Sequence, residues 1–218
     1  LAAVTDDEFE TLLDEEMGWR RIELQALATR LQSEANTNPT SPIARALTRS
    51  MSTLLYAHWE GYCKAVFEAY MKLILKRKPL VCDAADSLAV AHIQQLLRRI
   101  ESGDSAATDS LLSMVRGKSS ERIRLNSEKI VDTKSNLRYR VLSDIMRSLN
   151  IPIDEFELKR NLIDVQLCDA RNEIAHGRAS FPPANEVLAL HINVVEMMES
   201  MRDLSIGQVR TKRYSWQA

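Results

Sequence analysis

The chain has 218 residues, 45% hydrophobic and 27% charged, which is an ordinary globular balance at a length that buries a sizeable core. Its formal net charge of −1 excludes a globally basic nucleic-acid binder but leaves room for a local basic patch. Six glycines and six prolines are few breakers, and they favour long helices over many short strands.

Residues 5–35 are predicted as a helix capped by Thr5 or Asp6, with acidic side chains in the first turn where the helix dipole favours them. "NTNPTSP" (36–42) is a loop. From Ile43 to Lys78, the residues Leu47, Met51, Leu55, Trp59, Tyr62, Val66, Tyr70 and Leu73 recur at spacings of three and four, the pattern of one amphipathic helix ended by Pro79. Gly61 interrupts it at a cost of ~1 kcal/mol relative to Ala, so a close approach is expected there. Further helices are predicted over 84–101, 106–116, 135–149, 154–176 and 184–204, and "RIRLN" (122–126) is a short strand candidate. The expectation is an all-α antiparallel helical bundle forming one domain. In it, helix 43–78 packs against helices 154–176 and 184–204.

Charge is uneven. Residues 1–35 hold nine acidic and three basic side chains, whereas 116–147 hold nine basic and four acidic ones. Either stretch reads as a solvated helix face. The acidic helix also suits a basic partner. The basic stretch, through Arg122, Arg124 and Lys129, suits RNA phosphates, because cations that neutralise a polyanion release condensed counterions.

Cys63, Cys82 and Cys168 have no pair two residues apart, so they suggest neither a zinc knuckle nor a redox pair and read as buried free thiols. No stretch of 18 uncharged apolar residues occurs, and the acidic start lacks the charge pattern of a signal peptide. A cytoplasmic protein without membrane association is the expectation. No phosphate loop, acidic metal cluster or nucleophile elbow is present, so neither metal nor cofactor is implied.

"DARNEIAHGRASFPP" (169–183) departs from generic helix. Asn172 and His176 are four apart and stack on one face, Arg171 flanks them, and Gly177 supplies a left-handed cap. A capped helix end explains the same residues without chemistry, since the last turn favours cations. His92 and His191 lie on apolar faces and read as packing histidines, while His58 precedes Trp59 and Glu60. A buried Glu60 needs a partner, and Arg171 is a candidate.

"RNEIAHG" resembles the R-x(4–6)-H signature of ribonucleases in the HEPN superfamily (higher eukaryotes and prokaryotes nucleotide-binding domains). "LLYAHWEGYCKAV" (54–66) is similar to the Tyr-x-x-Trp-Glu-Gly stretch of its MAE/RiboL-PSP-like branch. The resemblance spans roughly residues 43–205. The acidic helix 5–35 and the polar 103–134 region, within a basic insertion of about 103–147, correspond least.

By resemblance, Arg171, Asn172 and His176 are the catalytic set, with Trp59 and Glu60 beside them. The implied activity is metal-independent endoribonucleolytic cleavage in a prokaryotic toxin or antiphage defence effector. The implied partners are RNA, a second copy of the chain across a two-fold axis, and an antitoxin or defence component. Leu162, Val165, Val195 and Met198 are apolar residues available for that interface. Two other functions fit the same sequence: a non-catalytic HEPN-like module binding RNA, nucleotides or protein, and a plain helical interaction protein.

Overall fold

The computed structural model describes residues 5–118, 120–126 and 130–216. Three long helices dominate: α1 (Asp6–Thr37), α2 (Pro42–Arg77) and α8 (Ala184–Arg210). Between α2 and α8 lie α3 (Asp86–Glu101), α4 (Ser105–Val115), α5 (Tyr139–Ser148), the single turn α6 (Asp154–Glu157), a π-helical segment (Leu162–Asp169) and the short α7 (Ala170–Ala175). The all-α expectation holds. Among the described residues, "RIRLN" forms no strand; only isolated bridges occur, Leu80 with Arg122 and Ala84 with Ser215.

Local chemistry explains the ends of the long helices. Thr5 caps α1 in a reciprocal box: its hydroxyl accepts from the Glu8 N–H at 3.1 Å, and the Glu8 carboxylate accepts from the Thr5 N–H at 3.0 Å. Ser41 caps α2 by accepting from the Ala44 N–H at 2.9 Å, with Pro42 in the first turn where its missing N–H costs nothing. Lys78, in the left-handed region at φ 49°, ends α2 just before Pro79.

The pairs Asp6–Arg77, Glu23–His58 and Glu34–Ser41 run α1 and α2 antiparallel. Glu10–Arg210, Asp14–Arg202 and Arg21–Glu199 do the same for α1 and α8. It follows that α2 and α8 run parallel, both packed on α1 and on each other, and α2 also carries α7 and the π-helical segment. The core between them includes Phe9, Leu24, Trp59, Tyr62, Tyr70, Leu167, Val194 and Met201, all fully buried. The α2 packing expected from the apolar spacing is therefore present.

Several expectations change. The acidic helix is a principal layer of the bundle, and arginines of α2 and α8 neutralise much of its surplus within the chain. Residues 154–176 are not one α-helix, because α6 stops at Glu157 and the chain resumes with a π-helical segment. Met198 is fully buried in the core and not free for an interface. Cys63 and Cys168 are buried as expected, but Cys82 is exposed.

The close approach expected at Gly61 is not found: the nearest atom to an added Cβ would be Nη2 of Arg20, a buried arginine of α1, at an ordinary 3.4 Å. Arg20 donates to the Glu16 carbonyl at 2.7 Å, pairs with the Glu16 carboxylate and lies over the Trp19 ring at 4.2 Å.

Candidate active site

The segment bearing the candidate residues is held in place by the chain just before α5. The Tyr139 N–H donates to Asp164 Oδ1 at 2.7 Å, and the Arg138 guanidinium pairs with Asp169. Ile163, Leu167 and Cys168 bury the inner face of the widened turns. π-helical turns are rare and recur at functional sites; here they lead directly into Arg171. Burial pushes the Cys168 thiol up to about 12, so it carries no thiolate chemistry near neutral pH.

Arg171 turns inward onto α2. Its guanidinium carbon sits 4.2 Å from the centre of the Tyr56 ring, and Nη2 donates to the Ser135 carbonyl at 2.8 Å. Lys134 and Ser135 both adopt left-handed conformations, at φ 53° and 54°, in the turn that presents this carbonyl. The buried Tyr56 hydroxyl accepts from the Leu137 N–H at 2.9 Å. Burial pushes the Tyr56 phenol up to about 12, with Glu60 adding to the rise while the Leu137 N–H and Arg171 oppose it.

Glu60 lies one turn along α2 from Tyr56. Among the described residues it forms no ion pair with Arg171; its Oε1 and the Arg171 Nε are both buried without a hydrogen-bond partner. The two residues converge on Tyr56 instead of on each other. Trp59 packs in the core, fully buried, its ring 5.8 Å from that of Phe156.

The helix end matches the expected cap in detail. Gly177 is left-handed at φ 73°, its N–H donates to Ile174 O at 3.0 Å, and the Arg178 N–H donates to Glu173 O at 3.0 Å. His176, at the cap, is exposed, and Asn172 one turn earlier is half-buried. Among the described residues, neither the Asn172 amide nor the His176 ring has a protein partner, so both are available to a ligand. Arg49 of α2 pins the chain after the cap, donating through Nη1 to Arg178 O and Ser180 O, each at 2.7 Å.

The basic residues proposed for RNA lie elsewhere. Arg122 donates to Lys78 O at the far end of α2, some six turns or about 33 Å along the helix from Tyr56. Arg124 is exposed, with its backbone N–H bonded to His92 Nδ1 at 3.1 Å. Lys129 lies outside the described residues. His92 and His191 are buried packing residues, and burial lowers the pKa of His191.

Tyr56 heads the Tyr-x-x-Trp-Glu-Gly stretch, but the sequence alone assigns no role to it, to Arg49 or to the 134–137 turn. Tyr56 stands four residues before Glu60, a spacing that stacks the two on one helix face, whereas nothing local points to Ser135. Among the described residues, no group of three His, Cys, Asp or Glu side chains is arranged to hold a metal ion. No helix of the described residues is long and apolar enough to cross a membrane.

Comparison with characterised proteins and with solved structures gave no match. A family model, RiboL-PSP-HEPN, matches residues 15–206, extending the correspondence beyond 43–205 to include most of α1 and all of the stretch between α2 and α8. With most of the chain matched and an all-helical bundle around the Arg171–His176 segment, the protein belongs to the RiboL-PSP-HEPN family.

Proposed function

We propose that the protein is a metal-independent endoribonuclease in which Arg171, Asn172 and His176 act on the scissile phosphodiester. The observation that carries this reading is the contrast within the motif. Arg171 is held by Tyr56 and Ser135, while Asn172 and an exposed His176 are unengaged one turn apart. Arginine has five N–H donors, and one bond to a carbonyl leaves others for phosphate oxygens.

In the proposed step a histidine takes the proton of the RNA 2′-hydroxyl, whose oxygen attacks the adjacent phosphorus. The bond to the 5′-oxygen breaks, and that oxygen leaves with a proton. Arg171 meets the negative charge that develops on the phosphate, and Asn172 orients the phosphate or the imidazole. The products are a 2′,3′-cyclic phosphate and a 5′-hydroxyl. Two proton transfers are served best by two histidines, and a two-fold homodimer would supply the second. An exposed groove of about 500 Å³ lined by Arg49 and Ser50 together with Ala46, Thr53, Leu54, Ala57 and Ile174 runs beside the motif and supports such an interface. A toxin or antiphage effector role, with an antitoxin or defence partner, follows from the family's character.

One observation favours a second reading, a non-catalytic RNA-, nucleotide- or protein-binding module: Arg171 already makes contacts that hold the fold together. Incubation with total RNA and tRNA, with and without EDTA, separates the two. Cleavage insensitive to EDTA, leaving cyclic phosphate ends and lost by about 10²-fold or more in His176→Ala, is the expected result. RNA left intact, or cut equally by His176→Ala, sinks the nuclease reading.

A further inference from the structure

A cavity of about 760 Å³ lies where the end of α1 meets the starts of α2 and α8, just beyond the chain that follows His176. That volume is within the ordinary range of small-molecule sites. Phe181 stands at its wall half-exposed. The guanidinium carbons of Arg45 and Arg49 lie 5.5 and 5.3 Å from the centre of its ring.

The two arginines differ in employment. Arg49 is spent on Arg178 O and Ser180 O. Arg45 is exposed and, among the described residues, its guanidinium has no hydrogen bond or ion pair. The rest of the wall carries the amides of Gln32, Asn36 and Asn185, and among the described residues no carboxylate lines it. Gln32 Nε2 donates to Asn36 Oδ1 at 2.9 Å, which leaves the Asn36 amide N–H and the Gln32 carbonyl oxygen for another partner. A half-exposed aromatic ring beside two guanidiniums, that of Arg45 otherwise uncommitted, and both amide donors and acceptors are what an unpaired base with its phosphate requires.

We infer that the Phe181–Arg45 cavity is a subsite for one nucleotide of single-stranded RNA, the base stacking on Phe181 and its phosphate meeting Arg45. The inference rests on the RNA-cleaving reading and adds where the strand goes. Phe181 is five residues from His176, a link of no more than about 18 Å, and Arg49 fixes that link. The strand would therefore cross the His176 segment and be gripped at Phe181, away from Arg122.

The test uses the full chain carrying His176→Ala, so that binding is read without cleavage, and a single-stranded oligoribonucleotide containing 2-aminopurine. Phe181→Ala should weaken binding about tenfold or more and abolish the quenching that reports stacking. Phe181→Trp should preserve both, and Arg45→Gln should weaken binding and lower the salt slope by about 0.7. Phe181→Leu keeps the apolar bulk without the π-face and serves if Phe181→Ala lowers the melting temperature.

Unchanged affinity in both Phe181→Ala and Phe181→Leu overturns the subsite. So does AMP that displaces the oligonucleotide at concentrations below the oligonucleotide's own Kd, which would mark a free-nucleotide site. The two readings fail separately. Loss of binding in Phe181→Ala with no cleavage by the unsubstituted chain removes the nuclease and keeps the subsite. Cleavage with a KM indifferent to Phe181 keeps the nuclease and removes the subsite.

Discussion

Tyr56 joins the parts of the candidate site: its ring carries Arg171 and its hydroxyl satisfies the Leu137 N–H of the turn that also holds Arg171. With its phenol pushed up to about 12, it stays protonated at physiological pH and serves as a platform and not as a base. Tyr56→Phe keeps the ring but leaves the Leu137 N–H buried and unpaired, an expected loss of about 1–3 kcal/mol in urea unfolding. Tyr56→Leu also removes the ring under Arg171, and RNA cleavage should fall further than in Tyr56→Phe. If both variants unfold and cleave like the parent chain, Tyr56 does not position Arg171. The motif itself was legible because Arg171, Asn172, His176 and Gly177 are local, and helix geometry alone places them at one capped end. Tyr56 and Ser135 were not legible in those roles, because their partner is brought to them only by the packing of α7 on α2.

At the scale of the elements, apolar spacing reveals where helices are but not what neutralises their charges. The acidic surplus of α1 suits an external partner in sequence, whereas in the fold Arg77, Arg202 and Arg210 stand against Asp6, Asp14 and Glu10, the last two arginines contributed from near the opposite end of the chain. The π-helical segment escaped for a related reason: Ile163 and Leu167 have ordinary α spacing, and the Asp164 and Asp169 contacts with Arg138 and Tyr139 that accompany the wider turns are tertiary. Gly61 offers a direct measurement on α2. The helix favours Ala there by ~1 kcal/mol, and the Arg20 side chain at 3.4 Å is in ordinary contact with an added Cβ. Gly61→Ala should therefore leave stability unchanged or raise it by up to about 1 kcal/mol in chemical unfolding. A loss of 2 kcal/mol or more would mean that Arg20 cannot give way and that the glycine is obligatory.

Over the whole molecule, two buried histidines set an acid limit on stability. Burial lowers the pKa of His58 despite Glu23 at 2.8 Å, with Arg20 reinforcing the drop, and burial alone lowers that of His191. The unfolded chain therefore binds these protons first, so stability is retained above pH ~6.5 and falls as pH drops below it towards the folded values. The urea midpoint should be lower at pH 5.5 than at pH 7.5, with a smaller drop in a His58→Gln, His191→Gln double variant; an equal drop in both proteins assigns it to other groups. Assembly gives the last prediction. One chain of 24.8 kDa presents a single exposed histidine in its motif, whereas cleavage by 2′-hydroxyl attack needs one proton removed and another delivered. A two-fold axis beside α7 would pair His176 with its copy, and the small residues Ala46 and Ala57 along α2 let a partner helix approach beside Ile174. The solution mass should be twice that of the chain. Ala57→Arg places a charged, bulky side chain in the groove, so it should yield a folded monomer with cleavage reduced in step with the dimer lost. A parent chain that cleaves RNA as a monomer, or an Ala57→Arg monomer with full activity, would show that one His176 is enough.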